Sequence, residues 1–189
     1  YEIASCLVGS EMCIRDRRRT HFLQPHGDWH CTWIWIWYTR KLHEGFHTLS
    51  WKLSTSGQIQ DVILVSIEYP NSYNYDVIRK RDLQTNPDSF LHFIVDNLIP
   101  YLEEIYSVNP ENMTLTGHSL GGYWAYYALF HNDTIGKNTF TNYYIGSPSM
   151  WANTGGKFMS TYEDEYYNRT QTLNANVLSL IHIWRCRRS

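Results

Sequence analysis

A serine set between glycines at fixed spacing, Gly117-His118-Ser119-Leu120-Gly121, is the part of this sequence whose chemistry is most legible. Acyl transfer needs a hydroxyl held out toward substrate, beside a base, with donors waiting for the oxyanion. A strand that turns sharply into a helix at a serine presents such a hydroxyl. The serine of that turn is strained, and side chains two places before and two after it would collide, so glycine is required at both. Gly117 and Gly121 occupy those places, with Gly122 following. The same turn puts the backbone N–H of Leu120 at a helix N-terminus, where unpaired amides and the helix dipole favour a developing negative charge. His118 leaves the turn in another direction and is expected to form pocket wall rather than to act as a base.

The elements around the serine decide how specific the pattern is, because three residues alone recur by chance in about one chain in twenty of this length. Upstream, Met113 to Thr116 is short and strand-like; downstream, Tyr123 to Phe130 is apolar all round. Strand, tight turn and buried helix are the context the pattern demands. Asp61 to Tyr69 is a nearly continuous β-branched run closed by Pro70 and Asn71, which predicts a buried parallel strand. From Phe90 to Ile105 the apolar residues recur at helical spacing. Asn86 and Pro87 serve as its cap and first turn, and a bend is expected at Pro100. Phe140 to Ile145 reads as a further strand. Strands alternating with helices imply a parallel sheet covered on both faces. Arg18 to Tyr38 is less legible: Trp33-Ile34-Trp35-Ile36-Trp37 fits an edge strand, a membrane-surface patch or an out-of-frame translation. Lys41 to Leu53 is weakly helical, so counting back from Asp61 places an earlier strand around His21 to Gln24.

With the elements placed, three segments carry a resemblance. Gly117-His118-Ser119-Leu120-Gly121-Gly122, the upstream Arg81-Asp82-Leu83 and the downstream Gly146-Ser147-Pro148-Ser149-Met150-Trp151 resemble an esterase family that includes siderophore (enterochelin-type) esterases and S-formylglutathione hydrolase relatives. The resemblance runs from roughly Gln58 to Phe158. It implies an α/β-hydrolase, a three-layer sandwich on a mostly parallel sheet, that needs no cofactor and cleaves small carboxylic esters through an acyl-serine intermediate. In that fold the second oxyanion donor follows the third strand. The backward count puts that loop at His26-Gly27-Asp28-Trp29, which is similar to the family's Asp-Gly-Asp-Trp turn except at His26, and nominates the Asp28 and Trp29 amides. Arg81 and Asp82 are expected to pair beneath the cleft. Tyr69, Tyr73, Ser147 and Trp151 follow strand C-termini, the edge where open α/β sheets bind ligands, and are candidate pocket residues.

The base and acid do not follow from these segments. Hydrolases of this fold present the triad in the order serine, acid, histidine. Of the histidines after Ser119, His131 lies about 18 Å along the same helix at 1.5 Å per residue, and His182 lies near the end of the sequence. Glu163, Asp164 and Glu165 read as a solvated acidic face. The acid and histidine are therefore expected beyond residue 177, which predicts poor activity and an exposed sheet edge for these residues alone.

Both ends are expected to be foreign to the domain. Residues 6–16 resemble the translation of a transposase adapter used in sequencing libraries, and residues 178–188 resemble its opposite strand; the alternative is a basic, cysteine-containing tail at each end. On this reading residues 1–17 and 178–189 are adapter-derived and residues 18–177 are a partial hydrolase domain, cut at both ends. Among the cysteines, Cys31 alone then remains, which leaves no disulfide framework or metal cluster to argue. The 16 basic and 18 acidic residues of the whole sequence fall to 11 and 16, a balance that argues against a nucleic-acid partner. No apolar run reaches the roughly 18 residues a membrane span needs. Oligomeric state and compartment are left open. An acyltransferase on the same fold, or a hydrolase-fold binding module without a triad, are the competing functions.

Overall fold

The computed structural model describes residues 31–36, 49, 52–59, 62–67, 75–106 and 108–180. Its centre is a sheet of five strands, β1 (Cys31–Ile36), β2 (Val62–Ile67), β3 (Met113–His118), β4 (Asn142–Gly146) and β5 (Asn176–Leu180), in the spatial order β2-β1-β3-β4-β5. Every neighbouring pair is parallel, as the alternation of strands and helices predicts. The register brings the C-terminal ends into line: Ile36 faces Ile67 and Gly117, His118 faces Gly146, and Gly146 faces Leu180. One edge of the sheet thus carries all five strand ends.

From Tyr75 to Ile105 the chain is almost continuously helical. The segments α1 (Tyr75–Lys80), α2 (Pro87–Phe93) and α3 (Ile99–Ile105) are linked by wider π-helical turns at Arg81–Thr85 and Ile94–Leu98. The bend expected at Pro100 takes this form. Proline removes a backbone donor and crowds the carbonyl four residues back, which here belongs to Asp96, inside the widened turn. Asn86 precedes Pro87 at the start of α2 as expected, although its side chain makes no capping hydrogen bond.

Helix α4 (Leu120–Phe130) is buried along its whole length except at Tyr126, the fate of a helix with no polar face. It packs on β3, β4, α2 and α5 (Met159–Thr170). Among the described residues Trp124, Tyr123, Tyr127, Tyr143 and Phe140 are the largest fully buried side chains, joined by Leu83, Leu91, Ile94, Leu98 and Leu102 from the helical run. Aromatic rings meet one another in this core, with Phe90 against Trp124 at 4.9 Å between ring centroids.

The strand expected around His21 to Gln24 lies outside the described residues, while part of the Trp/Ile run forms β1. The reading of that run as an edge strand is corrected: β1 sits between β2 and β3, where a continuous aromatic and β-branched run is at home. In addition, β5 runs from Asn176 to Leu180 and pairs with β4 across the boundary expected at residue 178. Among the described residues no helix is long and apolar enough to cross a membrane.

Candidate active site

β3 ends at His118 and α4 begins at Leu120, so Ser119 alone makes the turn between them. Its backbone takes φ 58° and ψ −120°, in the half of φ that a residue with a side chain avoids. Three backbone hydrogen bonds hold it there. The Ser119 N–H donates to the Gly146 carbonyl at 3.1 Å, and its own carbonyl accepts from the N–H groups of Tyr123 and Ser149, each at 3.0 Å. The strain is thus met from the helix on one side and from the segment after β4 on the other.

Glycine at 117 is a steric necessity. A Cβ there would lie 2.3 Å from the Gly121 carbonyl oxygen and 2.5 Å from its carbonyl carbon, inside the first turn of α4. Gly122 is nearly as tight, since a Cβ would meet Gly146 O at 3.0 Å and Gly117 O at 3.1 Å. These contacts press the start of α4 against the ends of β3 and β4. Leu120 is the first residue of α4, so its N–H belongs to the turn that has no intrahelical acceptor. That is the place expected for an oxyanion donor.

Ser149 is the residue the sequence reading passed over. It is 7% exposed, its N–H holds the Ser119 carbonyl, and its Oγ lies 3.2 Å from the Ser119 Oγ. Thirty residues separate the two serines, and only the parallel pairing of β3 with β4 brings them together. Ser147 has a left-handed φ of 40° and donates its N–H to the Leu180 carbonyl at 2.7 Å, which ties this segment to the end of β5. Trp151 projects outward and is 82% exposed. Tyr69 and Tyr73 lie outside the described residues, as do Asp28 and Trp29.

His118 lies beside the end of β4, its Cδ2 within 3.4 Å of where a Gly146 Cβ would stand. His131 is at the far end of α4, its Nδ1 2.8 Å from the Tyr127 carbonyl and its ring stacked on Tyr127 at 4.0 Å. Burial, the dominant influence, holds the His131 imidazole below its usual pKa. No histidine among the described residues is hydrogen-bonded to Ser119. Arg81 and Asp82 pair as expected, Nε to Oδ1 at 2.6 Å, with Asp82 buried. Glu163 and Asp164 are exposed on α5, and Glu165 meets Lys157 at 2.5 Å, so the acidic face is solvated. Among the described residues no group of three histidines, cysteines or carboxylates is placed to hold a metal.

Solved structures with the same fold include the BES protein from Bacillus cereus, 24% identical with a TM-score of 0.64 over 84% of this chain and 64% of that one. The siderophore hydrolase EstB from Aspergillus nidulans is 23% identical, with a TM-score of 0.66 over 82% of this chain and 57% of that one. The enterobactin esterase FES from Shigella flexneri is 17% identical, with a TM-score of 0.56 over 78% of this chain and 38% of that one. The chain therefore spans less than two thirds of the length of each. A search of curated proteins finds no match. The family model described as "Putative esterase" matches residues 43–179, well over half of the sequence, and the chain belongs to that family.

Proposed function

We propose that the protein is a carboxylic-ester hydrolase in which Ser119 forms an acyl-enzyme, and that its substrates are small acyl esters of the siderophore kind. The observation that carries this reading is the backbone of Ser119, a side-chain-bearing residue held at φ 58° and ψ −120° between a parallel strand and a buried helix. Such strain is kept where the surroundings over-determine it, and here two elements hydrogen-bond to one residue to keep it. The substrate class rests on family membership and on the siderophore and enterobactin hydrolases that share the fold.

In the reaction Ser119 Oγ attacks the ester carbonyl carbon, its proton passes to a general base, and the carbonyl electron pair moves onto oxygen. The first-turn amide at Leu120 faces that charge. Collapse expels the alcohol, which takes the proton back from the base. Water then attacks the acyl-serine by the same route and releases the acid. The base has to come from outside the described residues, since neither His92, His118 nor His131 bonds to Ser119. Hydrolysis of p-nitrophenyl acetate by Ser119→Ala tests the reading. In a form of the protein that carries the general base, loss of the nucleophile is expected to cost on the order of a million-fold in turnover. Equal hydrolysis by the variant would defeat it, and transfer of the acetyl group to an added alcohol in preference to water would reassign the chemistry to an acyltransferase.

A further inference from the structure

We infer that Ser149 is a second working hydroxyl of this site, a hydrogen-bond donor to the nucleophile oxygen whose contribution is made in the transition state. The inference rests on the assignment of Ser119 as nucleophile. The two Oγ atoms are 3.2 Å apart, and by geometry either could donate. Chemistry decides the direction. Ser119 must give its own proton to a base, so its lone pair is what remains for the Ser149 hydroxyl.

At 3.2 Å this is a long hydrogen bond for two hydroxyls, which prefer about 2.7–2.8 Å, and in the resting enzyme it is weak. The Ser119 oxygen carries more negative charge while the tetrahedral species forms or breaks than it does as a hydroxyl or as an ester. A hydrogen bond to a charged oxygen is shorter and roughly twice as strong as a neutral one. An interaction that strengthens only as the barrier is climbed raises turnover and leaves substrate binding alone.

The surroundings of Ser149 keep its hydroxyl in place. Its N–H is spent on the Ser119 carbonyl at 3.0 Å, and its carbonyl accepts from the Ala152 N–H at 2.9 Å. The segment before it is anchored by the Ser147 N–H on the Leu180 carbonyl. At 7% exposure, water has little access to compete for the hydroxyl. Met150 and Trp151, which follow it, are exposed, so Ser149 is the inward-facing residue of an otherwise outward-facing segment.

Steady-state hydrolysis of a p-nitrophenyl ester by Ser149→Ala, beside Ser149→Thr and Ser119→Ala, each made in a form of the protein that carries the general base, separates the possibilities. Ser149→Ala is expected to lower kcat about tenfold, with KM held within about twofold. Ser149→Thr keeps the hydroxyl and is expected to recover most of the loss. If Ser119→Ala is inactive and Ser149→Ala matches the parent, this inference falls and the nucleophile assignment stands. If Ser119→Ala retains full activity, the nucleophile assignment has failed first. A loss in which kcat and KM move together and Ser149→Thr restores nothing marks a structural role through the backbone and overturns the inference. Should Ser149→Ala not fold, Ser149→Cys, of similar shape but with a weak donor, carries the same expectation of lower kcat at constant KM.

Discussion

Ser119 holds a conformation its own chemistry resists, so the atoms around it should be sensitive to change in proportion to how directly they press on the turn. Gly117 presses hardest. A methyl group there would overlap the backbone of Gly121, and backbone, unlike a side-chain tip, cannot swing aside. Gly117→Ala is expected to lower unfolding free energy by about 3 kcal/mol, the upper range for overpacking, and to lower esterase turnover further by displacing the first turn of α4. Chemical denaturation with activity measured in parallel checks both; a variant as stable as the parent would show that this glycine is not sterically required. The serine and its glycines were legible in the sequence because the pattern is local and its strand-to-helix context is too. Ser149 was not. Its role depends on a register between β3 and β4 that no local window contains, although it stood in plain view within Gly146 to Trp151.

At the scale of elements, the far end of α4 offers two tests. Arg169 on α5 reaches Asp133 with Nε at 2.9 Å and Nη2 at 3.0 Å, while the same Nη2 donates to the Phe130 carbonyl at the C-terminus of α4. A forked cation is thereby placed where the helix dipole is negative. Arg169→Lys loses the fork and is expected to cost about 1 kcal/mol of stability by thermal or chemical unfolding; no change would mean the pair contributes nothing beyond charge. His131, half-buried between Tyr127 and Tyr162, gives a pH signature. Burial lowers its pKa in the fold below 6.5; Asp88, Asp133 and Glu165 oppose that shift and Arg169 adds to it. The unfolded chain therefore binds the proton more readily. Stability from His131 is intact above about pH 6.5 and is lost as pH falls below it, whereas Asp96 and Asp133, whose carboxyls are lowered by their cationic partners, lose theirs only as pH falls below 3.8. His131→Phe is expected to shrink the drop in unfolding midpoint between neutral pH and the carboxylate range; an unchanged drop would clear His131 of the effect. Which elements the sequence revealed follows the same physics. α4 is buried on almost every side and reads as an unbroken apolar run, and β2 reads as a nearly continuous apolar one, whereas β5, with Asn176 and Ser179 in its five residues, has no pattern of its own and exists through pairing with β4.

For the whole molecule, a sheet of five parallel strands requires cover on both faces, and β5 shows where cover is thinnest. Side chains alternate along a strand, so Ser179 and Val177 share one face while Leu178 and Leu180 share the other. The Ser179 hydroxyl accepts from the Tyr126 phenol at 2.8 Å, which identifies its face as the one toward α4. Leu178 and Leu180 point the opposite way and are 56% and 51% exposed. Nothing among the described residues pairs with the outer side of β5, and Asn176–Leu180 contains neither a charge nor a proline to discourage another strand. An apolar, uncharged edge of this kind is a template for association. These residues are therefore expected to self-associate at micromolar to millimolar concentration, with sedimentation velocity showing species that grow with concentration. Leu178→Lys with Leu180→Lys should suppress that growth. Because both side chains already face solvent, each substitution should move stability by no more than about 0.5 kcal/mol, so a change in association would not be a change in folding. A parent that stays monomeric across the range, or a lysine pair that associates equally, would place the association surface elsewhere or remove it.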